Sequence, residues 1–278
     1  MTAKEYNLFR EVRVLTTGTC ETCNPSTCDR TCEAKGPTTI PPHELSNIKR
    51  VIGIMSGKGG VGKSSVTALL AVALRRSGFE VGILDADITG PSIPRMFGVR
   101  RPPEGTGQGM IPPQSPKGVR IMSLNLLLPH EDDPVIWRGP LIGGAIKQFW
   151  TDVIWGDLDF LLIDLPPGTS DAPLTVLQSL PVDGLIIVSS PQELAQMVVR
   201  KAVKMAALMN VKILGLVENM SYAVCPDCGK EIYIFGPSRA EEAAAEAGIP
   251  LLGSLPLDSE LTSLCDHGRV EEYRGPLL

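Results

Sequence analysis

The stretch that decides the fold is VIGIMSGKGGVGKSS, residues 51–65. It opens with a short apolar run, which predicts a buried strand, and leads into a segment whose apolar residues recur at helical spacing. Between them lies Gly-x-x-x-x-Gly-Lys-Ser, the pattern of a phosphate-binding loop, in the strand-to-helix context that this pattern requires. Glycines let the backbone wrap a phosphate chain with its amides pointing inward, and the positive end of the helix adds to the attraction.

The residues of the loop have separate predicted roles. Lys63 should reach the β- and γ-phosphates of a nucleotide, and the Ser64 hydroxyl should ligate Mg²⁺. A glycine-rich turn that binds nothing would explain the glycines but not a Lys-Ser pair at the start of a helix. We therefore expect a P-loop ATPase that uses ATP and Mg²⁺. The predicted nucleotide-binding residues of the loop are Gly57, Lys58, Gly59, Gly60, Val61, Gly62, Lys63, Ser64 and Ser65.

Outward from the loop, short apolar runs alternate with longer mixed segments. This alternation predicts an α/β fold with a mostly parallel sheet and helices on both faces. The predicted strands are 51–55, 81–84, 119–123, 160–163, 185–188, 213–217 and 251–253. The predicted helices are 63–76, 141–155, 192–209 and 238–247. The segment 100–117 is dense in Pro and Gly, so we expect a mobile surface loop without regular structure.

Length and charge limit the possible classes of protein. With 278 residues, 43% of them hydrophobic, the chain fits one large ATPase domain, 43–278, after a short cysteine-rich appendage and Pro-rich linker, 1–42. The net charge of -5 argues against binding to nucleic acid. No apolar run is long enough for a membrane helix and the start of the chain lacks a secretory pattern. We expect a cytoplasmic protein with no membrane partner.

Acidic residues follow two of the predicted strands. Asp85 and Asp87 come after the strand 81–84, and Asp164 comes directly after the strand 160–163. An open α/β sheet binds its ligands at the carboxyl ends of the strands, so these side chains should lie beside the loop. Asp164 is expected to hold Mg²⁺, either directly or through water. One of Asp85 and Asp87 should orient the attacking water and the other should support the metal, and the sequence does not decide which.

The seven cysteines are expected to be thiolate ligands rather than disulfides, since the cytosol keeps thiols reduced. Cys225 and Cys228 form a Cys-Pro-Asp-Cys pair with no other Cys or His nearby in the sequence. Two thiolates make an incomplete tetrahedral site, and a twofold dimer would supply four. The twofold geometry favours a bridging iron-sulfur cluster, although zinc fits the same count of ligands. The order of preference is cluster first, zinc second and a redox pair third.

A second group of cysteines lies in the appendage. Its members are Cys20, Cys23, Cys28 and Cys32. The segment has too few aliphatic residues to fold alone, which suggests a metal as its core. A second cluster and zinc remain equally weighted, because the spacing departs from that of bacterial ferredoxins. Cys265 is expected to be an ordinary buried or partly buried thiol.

The extra lysine of the loop, Lys58, makes the motif Gly-Lys-Gly-Gly-x-Gly-Lys-Ser. This motif resembles the deviant-Walker ATPases typified by MinD, ParA and nitrogenase iron protein. The resemblance implies a homodimer in which Lys58 crosses the interface to the partner's nucleotide. The predicted catalytic residues are Lys58, Lys63, Asp85 and Asp87. The amide of Asn219, directly after a predicted strand and Glu218, could read a purine edge, and the resemblance supports a contact with adenine.

Five further motifs, taken together and in order, look like the Mrp/ApbC family of iron-sulfur cluster carrier ATPases. They are DADITGPSIP at 85–94, WRGP at 137–140, IDLPPGTSD at 163–171, ENM at 218–220 and CPDC at 225–228. The resemblance implies a homodimer that holds a labile [4Fe-4S] cluster on its two Cys-Pro-x-Cys pairs. It further implies transfer of that cluster to apo-proteins, with ATP binding or hydrolysis coupled to its loading or release.

We therefore expect an ATP-dependent iron-sulfur cluster carrier. The rival is a MinD- or ParA-like switch for positioning or partitioning, with zinc on its cysteines. Its usual marks are a basic amphipathic helix near the C-terminus or a basic surface. The stretch 271–278 is instead acidic and broken by Gly-Pro, which weakens the rival.

Overall fold

The centre of this computed structural model is a sheet of seven parallel strands. The structure describes residues 40–87, 90, 92–128, 139–169, 171–192 and 195–277. In chain order the strands are β1 (Asn47–Ile48), β2 (Val51–Ser56), β3 (Val81–Asp85), β4 (Glu104–Gly105), β5 (Met110–Ile111), β6 (Arg120–Ser123), β7 (Asp157–Leu158), β8 (Phe160–Asp164), β9 (Gly184–Ser189), β10 (Ile213–Glu218), β11 (Ala223–Val224), β12 (Glu231–Ile232) and β13 (Leu251–Ser254). The order across the large sheet is β13-β10-β9-β2-β8-β3-β6. Its members are the seven strands that the sequence predicts.

Helices cover both faces of this sheet. In chain order they are α1 (Lys63–Arg76), α2 (Ile93–Met96), α3 (Gly139–Thr151), α4 (Asp171–Ser179), α5 (Ala195–Leu208), α6 (Ala240–Ala247) and α7 (Ser259–Asp266), with 3-10 turns at Leu124–Leu127 and Val270–Glu272. Apolar side chains of α1, α2 and α7 pack into one core, and those of α3 to α6 pack into another. The predicted fold class, a mostly parallel sheet with helices on both faces, is confirmed.

Strand β2 shows why two cores form. Successive side chains of a strand point to opposite faces of the sheet. Accordingly, Ile52 and Ile54 belong to one core, while Val51 and Met55 belong to the other. A strand buried on both faces must be apolar at nearly every position, which is why these strands could be recognised as short apolar runs.

Several strands extend one residue beyond the predicted ends, and the added residue is polar. Ser56 ends β2, Asp85 ends β3 and Asp164 ends β8. All three are buried at the carboxyl edge of adjoining strands, because β8 lies between β2 and β3 in the sheet. The order of the strands therefore brings the end of β2 and two aspartates to one place.

The prediction that the segment 100–117 lacks regular structure is wrong. It contains an antiparallel hairpin of β4 and β5. The Thr106 hydroxyl donates to the Gly109 carbonyl oxygen at 2.7 Å and closes the turn. The backbone of Met110 then exchanges hydrogen bonds with the chain after α3, donating to Asp152 and accepting from Ile154, each at 2.8 Å. These contacts are between residues distant in sequence, so composition alone could not predict them.

Three helices were not predicted from the sequence: α2, α4 and α7. The helix α4 has a proline in its first turn, and α2 is a single turn. The start of α7 does carry a local signal, because the Asp258 side chain accepts hydrogen bonds from the backbone N–H groups of Glu260 and Leu261. An aspartate at this position is a common helix cap.

Two other features of the chain bear on the predictions. The appendage cysteines Cys20, Cys23, Cys28 and Cys32 lie outside the described residues, as do Trp137 and Arg138. Within the described ranges, no helix combines the length and the apolar character needed to cross a membrane. At the start of the described chain, Ile40 packs against the core, and its carbonyl oxygen accepts a hydrogen bond from the Trp150 indole at 2.7 Å.

Two glycines that follow α2 and α7, Gly98 and Gly268, allow a close contact between their backbones. We predict that Gly98→Ala destabilises the protein. Gly98 and Gly268 have φ values of 66° and 71°, and a Cβ on Gly98 would lie 2.7 Å from the Gly268 carbonyl oxygen. The left-handed backbone and the collision should together lower the free energy of unfolding by about 2–4 kcal/mol. Urea denaturation measures this change.

The control is Gly144→Ala, on helix α3, where a Cβ meets nothing within 4 Å. We expect this substitution to leave stability unchanged or to raise it by up to about 1 kcal/mol, since alanine favours helix. Equal stability of the Gly98→Ala variant and the wild-type protein would show that the contact has no energetic importance.

Candidate functional site

The phosphate-binding loop connects β2 to α1. Gly60 and Gly62 have φ values of 81° and 76°, a region that side chains with a Cβ rarely adopt. Gly62 precedes the first residue of α1 and provides no side-chain cap. The first N–H groups of α1 therefore have no side-chain acceptor, and they point toward the loop together with the positive end of the helix. These are the donors that an anionic phosphate requires.

Lys63 and Asp164 form a buried ion pair at the base of the loop. The Lys63 ammonium lies 2.8 Å from Asp164 Oδ1 and 3.7 Å from Asp87 Oδ2. The side chains of Lys63 and Asp164 are 5% and 0% exposed, so both charges depend on each other for compensation. The structure thus brings three of the predicted site residues into contact.

Two hydroxyl groups of α1 also contact Asp164. The Ser64 hydroxyl donates to Asp164 Oδ2 at 2.5 Å, and the Thr67 hydroxyl lies 2.8 Å from Asp164 Oδ1. Ser64 is a predicted Mg²⁺ ligand, whereas Thr67 was not identified from the sequence. Thr67 follows Ser64 by three positions on one helix, a spacing that places the two side chains on the same face. Together with Lys63 they surround both oxygens of the carboxylate.

Asp85 and Asp87 occupy different environments, although the sequence could not separate them. The Asp85 carboxylate accepts backbone N–H bonds from Asp87 at 3.2 Å and from Ile93 at 3.4 Å. Burial raises its pKa well above the ordinary value, and the negative charge of Asp164 adds to the rise. The Asp87 carboxylate instead faces the Lys63 ammonium of the loop at 3.7 Å.

Lys58 contacts a residue of its own chain. Its ammonium donates to Gln192 Oε1, at the end of the connection that follows β9. The Lys58 backbone is held as well, because its carbonyl oxygen accepts from the Ser56 hydroxyl at 2.9 Å. Gln192 was not identified as a site residue from the sequence.

Asn219 lies against the phosphate loop. Its side-chain amide donates to the Val61 carbonyl oxygen at 3.0 Å, and its backbone N–H donates to the Ser189 carbonyl oxygen at 2.8 Å. A Cβ on Gly62 would collide with the Asn219 amide nitrogen, so this approach requires glycine in the loop. The predicted contact with adenine stays a prediction, but Asn219 does share the site with the loop.

Cys225 and Cys228 lie on the turn of a hairpin formed by β11 and β12. The Cys225 N–H donates to the Lys230 carbonyl oxygen, and the Gly229 N–H donates back to the Cys225 carbonyl oxygen, each at 2.9 Å. The backbone N–H groups of Cys228 and Asp227 lower the pKa of the Cys225 thiol, and the Cys228 thiol contributes further. The turn is therefore shaped to stabilise a thiolate, the form of cysteine that binds metal.

The hairpin leaves both of its cysteines at least partly exposed, and it also exposes a row of apolar side chains. Cys225 is half-buried and Cys228 is exposed, and the described residues contain no group of three or more Cys, His, Asp or Glu side chains that could hold a metal. The exposed apolar side chains, here called the apolar strip, are Val224, Ile232, Tyr233, Ile234 and Phe235. Cys265 is buried, and burial raises the pKa of its thiol to about 11.

Known relatives of this chain share most of its length. The Iron-sulfur cluster carrier protein of Clostridium perfringens is 46% identical, with 92% of this chain and 94% of that protein covered. The protein with the same name in Methanocaldococcus jannaschii is 48% identical, with 90% and 88% covered. The Cytosolic Fe-S cluster assembly factor CFD1 of Eremothecium gossypii is 45% identical, with 82% and 84% covered.

Solved structures and a family model agree with these relatives. The nucleotide-binding protein of Archaeoglobus fulgidus in complex with ADP is 48% identical and has a TM-score of 0.75. The match covers 82% of this chain and 90% of that chain. The cell division ATPase MinD of Pyrococcus furiosus shares the fold, with 25% identity, a TM-score of 0.55, and 81% and 91% of the two chains covered. The family model described as ParA, NUBPL iron-transfer P-loop NTPase, matches residues 47–275. The loop, its buried lysine and the shared sequence place this chain in the ParA/NUBPL family of P-loop NTPases.

Proposed function

We propose that this protein is an ATP-dependent carrier of iron-sulfur clusters. In this proposal Cys225 and Cys228 of two copies hold one [4Fe-4S] cluster, which the dimer passes to apo-proteins in the cytoplasm. The observation that carries the proposal is the cysteine turn itself, where backbone N–H groups favour a thiolate on an exposed hairpin. A cysteine pair that solvent can reach is suited to a cargo that must enter and leave.

The number of ligands supports a shared cargo site. A [4Fe-4S] cluster takes four cysteine thiolates, and each hairpin supplies two. Within the described chain no third side chain completes the set. Two hairpins related by a twofold axis would present four thiolates, and such symmetry is the commonest in protein dimers. Zinc would fit the same count of ligands and is distinguished by the reconstitution experiment below.

The apolar strip supports a dimer at the hairpin. Ile232, Tyr233, Ile234 and Phe235 are each between 42% and 54% exposed, although they are consecutive apolar residues. Consecutive exposed apolar side chains commonly mark a surface that binds another protein. A second copy placed here would cover the strip and would shield the cluster between the two cysteine turns from water.

The loop and its neighbours fit MgATP. The loop N–H groups and Lys63 would hold the phosphates, and Ser64 and Asp164 would hold Mg²⁺, since the Ser64 hydroxyl in the first turn of α1 lies 2.5 Å from an oxygen of Asp164 at the end of β8. Bound Mg²⁺ neutralises charge on the transferred phosphoryl group. Asp87 faces this position and would orient the attacking water, whereas Asp85 is held by backbone N–H groups and supports the turn. Lys58 would neutralise charge on the partner's nucleotide, and Asn219 would contact the base.

Asn219 also provides a route by which nucleotide could influence the cluster. It contacts Val61 of the loop, and it lies only six positions before Cys225 in the chain. Movement of the loop on binding ATP would shift the segment that leads into the hairpin. ATP would then change how tightly the two cysteine turns hold their cargo.

The MinD- or ParA-like switch is not favoured as an alternative. The relatives with high identity are named as cluster carriers or as a cluster assembly factor. MinD shares the fold at lower identity. A switch would also leave the exposed thiolate turn without a purpose.

Substitution of both turn cysteines tests the cargo site. We predict that the wild-type chain, reconstituted anaerobically with iron and sulfide, holds about four iron and four sulfide ions per dimer at this site. Cys225→Ala/Cys228→Ala should lose them, because the turn then offers no thiolate and the described residues contain no group of three or more Cys, His, Asp or Glu side chains that could hold a metal. Analysis of iron and acid-labile sulfide measures the content of both proteins. Iron and sulfide that remain in the double variant would be assigned to the appendage cysteines.

Cys265→Ala is the control for this experiment, because that thiol is buried away from the turn. Its iron and sulfide content should equal that of the wild-type protein. If the double variant keeps its full content, or if the wild-type protein binds zinc and no sulfide, the cluster carrier proposal is wrong.

A charge in the apolar strip tests the proposed dimer surface. We predict that Ile234→Glu, at a position 54% exposed, weakens the dimer of the reconstituted protein by about tenfold or more, because a carboxylate would be buried without a partner. Light scattering after size-exclusion chromatography under anaerobic conditions measures the effect. Leu208→Glu is the matched control: Leu208 is 85% exposed and lies at the far end of α5. Equal weakening by both variants would refute the assignment of the surface.

Thr67→Val tests whether support of Asp164 matters for nucleotide. Valine has nearly the same shape but cannot donate to Asp164 Oδ1. We predict that MgATP binds about tenfold more weakly or worse, as is usual when a residue that orients a metal ligand is lost. Calorimetric titration with a slowly hydrolysed ATP analogue measures this change.

The matched control is Thr67→Ser, which keeps the hydroxyl and removes a buried methyl group. It should bind MgATP like the wild-type protein, even if it unfolds at a lower urea concentration. Wild-type affinity in the Thr67→Val variant would show that Ser64 and Lys63 alone suffice to hold Asp164.

A further inference from the structure

The hydrogen bond between Lys58 and Gln192 brings together two parts of the site that are far apart in the chain. Lys58 lies in the phosphate loop after β2, and Gln192 lies in the connection between β9 and α5. The strands β2 and β9 are neighbours in the sheet, so both residues emerge at the same carboxyl edge. Gln192 is exposed, so a second copy approaching this edge could reach the contact.

The acceptor in this contact is neutral. A side-chain amide oxygen accepts a hydrogen bond from an ammonium group, but it carries no charge to bind it as an ion pair. Phosphate oxygens carry negative charge, so they add to the hydrogen bond a charge–charge attraction for the ammonium that the amide oxygen of Gln192 cannot supply. The Gln192 contact is therefore strong enough to orient Lys58, yet a phosphate chain can displace it.

We propose that Gln192 is a positioning residue that holds Lys58 within its own chain until the partner's nucleotide competes for the ammonium. This inference rests on the proposed function, in which Lys58 acts across the dimer interface. Lys58 cannot occupy both positions, so each chain must release its Gln192 contact before the nucleotide-bound dimer forms. The contact then opposes assembly while no nucleoside triphosphate is present.

Two substitutions with opposite expected effects test this role. Gln192→Ala removes the contact, so the dimer formed with Mg²⁺ and a slowly hydrolysed ATP analogue should become about three- to tenfold tighter. Gln192→Glu replaces the neutral acceptor by a carboxylate, so the dimer should weaken by a similar factor and the weakening should fade at high salt. Sedimentation velocity on the full chain without a reconstituted cluster measures both dissociation constants.

The effect of Gln192 must depend on Lys58. In a Lys58→Ala background, the further change Gln192→Ala should alter the dissociation constant by less than about twofold, because the group that it held is absent. If Gln192 had a merely structural role, the effect of Gln192→Ala on the dissociation constant would persist in the Lys58→Ala background. Turnover of ATP at increasing protein concentration gives a second readout, since Gln192→Ala should reach half of its maximal rate at a lower concentration than the wild-type protein.

The outcomes separate the inference from the proposed function. If Lys58→Ala alone leaves ATP turnover and the nucleotide-dependent dimer unchanged, Lys58 has no role across the interface. That part of the proposed function and the positioning role of Gln192 are then both refuted. If Lys58→Ala abolishes turnover while both Gln192 variants behave like the wild-type protein, only the role of Gln192 is refuted. Changes of the same sign in Gln192→Ala and Gln192→Glu would also overturn it.

Discussion

The buried contact between Lys63 and Asp164 is the constraint on which the rest of the site depends. An ammonium and a carboxylate with 5% and 0% exposure cannot be left unpaired without a large penalty. Lys63 is the first residue of α1, and Asp164 is the last residue of β8. Their contact therefore fixes the start of the helix over the centre of the sheet. The loop between β2 and α1 has to bridge this short gap, which requires the left-handed glycines Gly60 and Gly62.

The same contact leaves the site short of positive charge. Lys63 faces Asp164 and Asp87, and the buried Asp85 responds to the crowding with a pKa that is raised by burial and by the charge of Asp164. Among the described residues, Asp164 and Asp87 both face the Lys63 ammonium, and two carboxylates around one ammonium would attract a further cation, for which oxygen ligands favour Mg²⁺. The uncapped start of α1 attracts the phosphates on the opposite side of the loop. A magnesium nucleotide would satisfy both demands together, which neither ion would do alone.

Much of this arrangement could be predicted from the sequence, and the exceptions have physical causes. The sheet strands were recognisable because strands buried on both faces are almost uniformly apolar, as in β2. The carboxyl ends of these strands were predicted less accurately, because a polar residue such as Asp164 interrupts the apolar pattern at the end of the strand, where the candidate site lies. Thr67 and Gln192 were missed because their importance lies in contacts made across the fold, to Asp164 and Lys58. No local pattern carries that information.

The segment 219–224 contacts the phosphate loop at one end and leads into the cysteine turn at the other. It has little freedom to move independently of either. Asn219 is bound to Val61, and the next residue, Met220, has a left-handed φ of 60°, which is uncommon for a side chain of this kind. The Ser221 N–H then donates to Leu255, and the Tyr222 carbonyl oxygen accepts from Leu257, at 2.9 and 2.7 Å. A backbone held on both sides transmits a displacement instead of absorbing it. In the proposed function, a shift of the loop around phosphate would be carried into the strand that enters the cysteine turn.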